Sequence, residues 1–344
     1  MHKNNFVNIY KIILGFVIAF VDKMNENGYV TCHLKGGLGN QLFQICATLS
    51  YSKRTNRQVV FQSRDAIGKR PAYFSSFFSG LQKYFVSESE FHKLFQEGNG
   101  HTYEERLFEY VPILEYPPNV NVILNGYFQT DKYFKQDWPW IAETLWGDRR
   151  EEYISHAQSL LGYEDKTTIS MHFRIGDYVH IQHCHPVMNV EYYILALRQC
   201  LEDLVLSVEN DRREVEVLYF CEDFDLGDVM EKIDRMKKEF TSVSFRRAVV
   251  SLGENEKVKD KDWHEMILFG ICDAHIIPNS SFSWWGSYLG SYFMSESDSL
   301  LQENSEMDKK IQKPVYYPSV WFGSGLHWNN VKDLCPDNWH KIQA

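Results

Sequence analysis

Ser170-Met171-His172-Phe173-Arg174-Ile175-Gly176-Asp177-Tyr178 follows directly on Thr167-Thr168-Ile169, and the reading of this run sets the fold class. A β-prone stretch that ends in His, Arg, Gly and Asp is what a buried strand looks like when its carboxyl end opens onto a polar ligand crevice. Arg174 carries a planar, permanently charged fork that suits a phosphate or diphosphate bidentately, and Gly176 lets the main chain come close to a ligand. The competing reading is structural, with Arg174 and Asp177 paired to brace a loop. Other segments have to decide between the two.

Toward the C-terminus the chain alternates. A helix with Tyr192, Tyr193, Leu195, Ala196 and Leu197 on its apolar face leads into the strand Val215–Phe220, which ends at Cys221-Glu222-Asp223. A strand at Val243–Phe245, a charged loop through Asp262 and a helix Trp263–Gly270 follow, then a strand His275–Ile277 that runs into Pro278-Asn279-Ser280-Ser281-Phe282-Ser283-Trp284-Trp285-Gly286. Alternating strands and helices predict a parallel, doubly wound α/β sheet with ligands outside the carboxyl ends of the strands. Glu222 and Asp223 then fall where ribose hydroxyls or a base bind. Asn279, Ser280, Ser281 and Ser283 form a strand-to-helix turn whose hydroxyls, N–H groups and helix dipole suit an anion. The structural alternative there is an N-cap over buried tryptophans.

Toward the N-terminus, a strand Tyr29–Leu34 is followed by Lys35-Gly36-Gly37-Leu38-Gly39-Asn40-Gln41 and an apolar helix over Leu42–Leu49. Gly36, Gly37 and Gly39 at such a turn expose N–H groups beside a helix N-terminus, and Lys35 adds charge. Tight packing is the alternative role for those glycines. The spacing is neither GxxxxGK[ST] nor GxGxxG, which disfavours a P-loop enzyme and a dinucleotide oxidoreductase. Aromatic-rich loops at Ala72–Phe78 and Glu115–Pro118 precede a strand Val120–Leu124 and then Asn125-Gly126-Tyr127-Phe128-Gln129-Thr130-Asp131. Tyr127, Gln129 and Asp131 can form a saccharide wall, with aromatics on sugar C–H groups and polar groups on hydroxyls; core packing is the alternative for the aromatics. A polar helical stretch over Gly147–Ser159, with Gly162 beyond it, links residues 29–160 to a second unit over 161–344 that ends in a C-terminal tail.

With 344 residues, 44% of them hydrophobic, the chain can bury two sizeable cores. A net charge of −10 argues against a nucleic-acid partner and leaves any anionic ligand dependent on local cations. The seven cysteines are odd in number, scattered and without a CxxC pair, which predicts reduced thiols. His180, His183, Cys184 and His185 crowd too closely for a four-coordinate zinc site. Ile12–Val21 is apolar but shorter than the about 20 residues a bilayer span requires. Residues 1–28 therefore read as an apolar segment giving weak membrane association through 6–21, or as a short anchor. The expected setting is cytoplasmic or membrane-associated, with a single-pass type II protein as the alternative.

GGLGNQLFQ (Gly36–Gln44), GYFQTDKYF (Gly126–Phe134), HFRIGDY (His172–Tyr178), YFCED (Tyr219–Asp223) and NSSFSWWG (Asn279–Gly286) occur in that order over residues 29 to about 290. Together they resemble glycosyltransferase family 11, the α-1,2-fucosyltransferases, far more specifically than any one alone. The resemblance implies a GT-B-like fold of two Rossmann-type domains with a ligand cleft between them, residues 29–160 lying on the acceptor side and 161–344 holding the nucleotide sugar. It implies GDP-L-fucose as donor, a galactoside or other glycan as acceptor, inversion at the anomeric carbon, and no metal or other cofactor. It assigns Arg174, Asp177 and Asn40 to catalysis. Gly36, Gly37, Gly39, Gln41, His172, Glu222, Asp223, Asn279, Ser280, Ser281 and Ser283 go to the donor, and Tyr127, Gln129 and Asp131 to the acceptor. Ile175 stands where the family commonly has a second arginine, with Lys35 or Lys69 as replacement cations. Asp177, Asp131 and Glu265 are the carboxylates available as base. Two other readings stay open: a transferase using a different nucleotide sugar, and a catalytically silent glycan-binding protein on the same fold.

Overall fold

The computed structural model describes residues 27–96, 100–162, 166–207, 213–252, 260–293 and 313–343. The apolar stretch at 6–21 lies outside them. Among the described residues no helix is long and apolar enough to cross a membrane.

In chain order the first half holds β1 (Tyr29–Cys32), α1 (Leu38–Thr55), β2 (Gln58–Val59), β3 (Phe61–Gln62), β4 (Ala66–Ile67), β5 (Arg70–Pro71), β6 (Phe85–Val86), α2 (Glu88–Phe95), β7 (Gly100–Glu104), β8 (Asn121–Asn125), α3 (Trp138–Trp146) and α4 (Arg150–Leu161). The second holds β9 (Lys166–His172), α5 (Val190–Ser207), β10 (Glu214–Phe220), α6 (Leu226–Glu239), β11 (Val243–Arg247), α7 (Lys261–Ile271), β12 (Ala274–Ile276), α8 (Ser281–Phe293), β13 (Val315–Pro318) and β14 (His340–Ile342).

Two all-parallel sheets organise these elements. The first has the order β2-β1-β8-β7 and the second β11-β10-β9-β12-β13-β14. The six-stranded order is that of a Rossmann sheet, with the chain reversing direction across the sheet between β9 and β12. The smaller sheet reverses between β1 and β8. Ligands bind beyond the strand ends at such points, so the topology alone directs attention to the residues after β1, β8, β9 and β12. These two sheets make the GT-B-like architecture that the resemblance implies. The segment expected as a C-terminal tail instead adds β13 and β14 to the larger sheet.

The larger sheet is covered on both faces, as parallel strands require. Leu218 and Phe220 of β10 face one core with α7 and α8, while Val217 and Tyr219 face a second with α5 and α6. The first core continues into the smaller sheet through α1, where Phe43 lies 4.5 Å from Trp284 and 5.0 Å from Trp285 between ring centroids. Tyr73, Phe74, Phe77 and Phe78 are buried in it, so the aromatic loop at 72–78 is core. All seven cysteines are free.

α1 begins after an extended Gly37 and ends at Asn56, whose left-handed φ of 54° closes the helix above Lys53 and Arg54 in its last turn. Gly39, in the first turn of α1, has no room for a side chain. A Cβ there would lie 2.4 Å from the carbonyl oxygen of Ser281 and 2.8 Å from the nitrogen of Phe282. The N-termini of α1 and α8, one from each half, therefore meet at backbone contact distance.

Candidate active site

A cleft of about 570 Å³ opens where these two helix starts converge. Its floor on the first side is the glycine turn. Gly36 adopts φ +82°, a conformation that L side chains rarely take. The loop is held from behind by two buried glutamines. Gln44 accepts from the Lys35 nitrogen at 2.9 Å and donates to the Lys35 carbonyl at 3.0 Å, while Gln41 donates to the carbonyls of Gly36 (3.1 Å) and Pro71 (2.9 Å). No side chain caps α1, and Gly37, Leu38 and Gly39 at its start line the cleft, the kind of helix start that suits an anion. Asn40 lines the cleft, and its Oδ1 accepts from Gln129 Nε2 at 2.7 Å, tying the turn after β1 to the segment after β8.

On the second side, β9 delivers His172 and Arg174 to the cleft. Among the described residues His172 Nδ1 is buried without a hydrogen-bond partner. Burial, helped by the Arg174 guanidinium, pushes the imidazole pKa down to about 3, so the ring is neutral. Arg174 is ion-paired to Asp177, stands 3.9 Å from Glu222 and lies over the Tyr178 ring at 4.8 Å. The pair braces the loop, and the guanidinium still lines the cleft. Asn279 is buried, donates to the Trp321 carbonyl at 3.0 Å and keeps Oδ1 without a partner among the described residues. Ser280 and Ser281 complete the turn, and Tyr178 donates its hydroxyl to the Asn279 carbonyl at 3.2 Å.

The cleft thus gathers Gly36, Gly37, Gly39, Asn40, Tyr127, Gln129, His172, Arg174, Asp177, Glu222, Asn279, Ser280 and Ser281. Four expected residues do not line it. Gln41 is buried behind the glycine turn, and Ser283 is buried within α8, bonding to the Ser280 carbonyl. Asp223 points out to solvent and pairs with Arg247. Asp131 is buried near Lys135, and desolvation raises its carboxyl above the ordinary range. Lys35, one proposed replacement cation, is engaged with Asn125 and the face of Tyr127. Ile175 is 4% exposed and packs in the second core.

Arg70, Lys261, Asp262 and Glu265 line the cleft without having been expected there, apart from Glu265 as a possible base. Burial raises Glu265 to about 7 against the pull of Lys261, 3.4 Å away. Asp262, bonded to the Tyr73 hydroxyl, is raised too, chiefly by desolvation. No local motif marks Arg70 or the α7 residues; they arrive through tertiary folding. Two Asp-x-Asp sequences, 223–225 and 260–262, lie near the cleft. Their side chains are spent on Arg247, the Gly176 nitrogen, Trp263 and Tyr73. Among the described residues no group of three or more His, Cys, Asp or Glu is gathered as metal ligands, the 180–185 run included.

The family model for glycosyl transferase family 11 matches residues 3–323. The chain belongs to glycosyl transferase family 11. An alpha-1,2-colitosyltransferase of Escherichia coli is 27% identical over 51% of this chain and 48% of its own length. A galactoside 2-alpha-L-fucosyltransferase of Caenorhabditis elegans is 23% identical over 93% of this chain and 87% of that relative. The chain spans about half the length of the bacterial relatives it matches. Among solved structures, a point mutant of Arabidopsis thaliana FUT1 in complex with GDP superposes with a TM-score of 0.48 and 13% identity, covering 77% of this chain and 69% of that one. Within the family 11 frame, the conspicuous feature of this cleft is its composition: main chain at the start of α1, an amide and hydroxyls at the start of α8, and one arginine from the β9 loop.

Proposed function

We propose that the protein is an inverting fucosyltransferase that moves L-fucose from GDP-L-fucose to a hydroxyl of an acceptor glycan, a galactoside 2-hydroxyl being the favoured acceptor. Residues 161–344 hold the donor and residues 29–160 face the acceptor. The observation that carries this reading is the convergence of Arg174, the glycine turn and the Asn279–Ser281 turn on one cleft.

In the proposed reaction the acceptor hydroxyl attacks fucose C1 from the face opposite the departing GDP, through an oxocarbenium-like transition state. Negative charge grows on the β-phosphate as the bond breaks, and fixed donors aimed at that charge supply most of the rate. Arg174, the N–H groups beyond Gly37 and the hydroxyls of Ser280 and Ser281 are those donors. Asp177 holds the Arg174 fork in place. Neutral His172 and the buried Asn279 carry hydrogen-bonding atoms for the nucleoside, and Glu222 takes ribose hydroxyls. Tyr127 and Gln129 take the acceptor. Of the three carboxylates, Asp131 does not line the cleft and Asp177 is occupied, so we assign the acceptor proton to Glu265. Its raised pKa suits a base near neutrality.

Calorimetric binding of GDP, GDP-fucose, GDP-mannose and UDP-galactose in the presence of EDTA tests the donor. Selective binding of GDP and GDP-fucose supports the proposal and its metal independence; binding only of UDP-galactose, or of none, refutes it. A second reading, transfer of a different GDP-linked deoxyhexose, draws on the colitosyltransferase relative and on the burial of Ile175 beside Arg174. Equal turnover of a 3-deoxy analogue of GDP-fucose is the result that favours it.

A further inference from the structure

The hairpin β4–β5 turns at Gly68, whose φ is +60°, and carries Arg70 into the cleft from the side of the smaller sheet. Its base is fixed to both halves of the molecule. The Pro71 carbonyl accepts from Gln41 of α1 at 2.9 Å, and Tyr73, 1% exposed, donates its hydroxyl to Asp262 of α7. Arg70 itself is half exposed, and its Nη2 lies 3.6 Å from Asp177 Oδ2. The other oxygen of that carboxylate, Oδ1, holds Arg174. One exposed carboxylate therefore bridges two guanidinium groups that reach it from opposite walls.

We propose that Arg70 is the second cation on the diphosphate of the donor, exchanging Asp177 for a phosphate oxygen when the nucleotide sugar binds. This rests on the GDP-sugar reading above. Among the described residues, Arg174 is the one arginine that the larger sheet brings to the cleft: Ile175, its neighbour, is turned into the core, and Arg247 at the end of β11 is paired with Asp223. Lys261, the other cation lining the cleft, is shared between Glu265 at 3.4 Å and Asp223 at 4.0 Å. An ion pair between two half-exposed side chains is weak and readily exchanged. A diphosphate offers more charge and paired oxygens matched to a guanidinium fork. The exchange leaves Asp177 to Arg174 alone and closes the donor between cations from both walls.

The test is titration of GDP and guanosine into the full-length wild-type protein and its Arg70→Gln and Arg70→Lys variants, at fixed ionic strength and without divalent ions. Arg70→Gln is expected to weaken GDP about 10- to 30-fold, the usual scale for one charge-assisted contact, with guanosine unchanged within about twofold and Arg70→Lys recovering part of the loss. Wild-type protein that binds no GDP overturns the GDP-sugar reading and this inference with it. GDP binding that survives Arg70→Gln within about twofold overturns the role of Arg70 alone. An equal loss of guanosine binding also overturns it, since a hairpin that merely shapes the cleft would weaken both ligands.

Discussion

After β1 the chain turns into α1 through two glycines; after β12 it turns into α8 through Pro278, Asn279 and Ser280. Both turns sit at the reversal point of a parallel sheet, both end at a helix start, and the two helix starts touch at Gly39 and Ser281. Their chemistry differs. The first presents main chain, uncapped and pinned from behind by Gln41 and Gln44. The second presents an amide and hydroxyls, anchored through Asn279 to Trp321 and through the Trp284 indole to the Leu334 carbonyl at 2.9 Å. An anion site of main-chain donors is insensitive to most side-chain changes but intolerant of any that move the backbone, whereas a side-chain site behaves in the opposite way. Arg174, lining the same cleft as both turns, adds a permanent charge.

The largest effect should come from removing that charge. Arg174→Ala is expected to lower fucosyl transfer about 10²- to 10³-fold, the scale of one lost transition-state donor, while the melting temperature stays near that of wild type because the side chain lines the cleft. If transfer under saturating donor stays within a few-fold of wild type, the two helix starts carry the leaving group unaided and the comparison loses its third member.

Next is Gly39→Ala, which places a methyl group against the backbone of the opposite turn. Neither partner is a flexible side chain, so the helix starts must separate, with a destabilisation of about 1–3 kcal/mol and a loss of GDP affinity. Chemical denaturation and calorimetry on the same preparation read both. Unchanged stability would show that the contact at Gly39 is loose and that the turns are positioned independently.

Much of this arrangement was legible in the sequence. The β9, β10 and β12 strands were legible as short β-prone runs that end in a cluster of polar residues, the pattern of a buried parallel strand that opens onto a ligand crevice at its carboxyl end. The glycine turn and the serine turn were visible because their residue types are tied to special backbone geometry. Strands such as Gly100–Glu104 and His340–Ile342 were not, since five mostly exposed residues or three residues give no period to read. Asp131 and Ser283 fall outside the cleft for one reason: both stand beside cleft residues in sequence, but a short helical turn at 131–133 and the helix α8 at 281–293 rotate them into the protein. Arg70 and Lys261 were missed for the converse reason, since each reaches the cleft from an element with no motif of its own.

A third effect separates the walls by pH. Glu265 has a folded pKa near 7, raised chiefly by burial, against an ordinary value near 4.5 in the unfolded chain. Between those values the folded state binds the extra proton, so this group makes stability fall as pH rises from about 4.5 to about 7. Glu265→Gln removes that slope and should leave the protein more stable than wild type at pH 7.5 by on the order of 1–2 kcal/mol, discounted for partial solvent access. His172 acts in the opposite sense: its depressed pKa costs stability as pH falls below about 6.5. The wild-type-minus-variant difference isolates Glu265. The same variant should lose transfer toward the low end of the ~10²–10⁴ range for a general base. A difference flat from pH 5 to 8 would show that Lys261, 3.4 Å away, keeps the carboxylate ionised.

The smallest effect on stability is the most informative about the glycine turn. Gly37 lines the cleft, has an ordinary φ of −78° and has nothing within 4 Å of where a Cβ would sit. Gly37→Ala therefore costs the fold little, and restricting the unfolded chain even favours it by up to about 1 kcal/mol. The open space beside Gly37 is the proposed place of the diphosphate, so the methyl group should instead weaken GDP binding severalfold while guanosine is unaffected. Gly39→Ala and Gly37→Ala stand two residues apart in one turn and are expected to fail differently, one through the protein and the other through the ligand. If GDP binds Gly37→Ala as tightly as wild type, the main chain of this turn does not contact the phosphates, and the anion site belongs to the serine turn and the arginines alone.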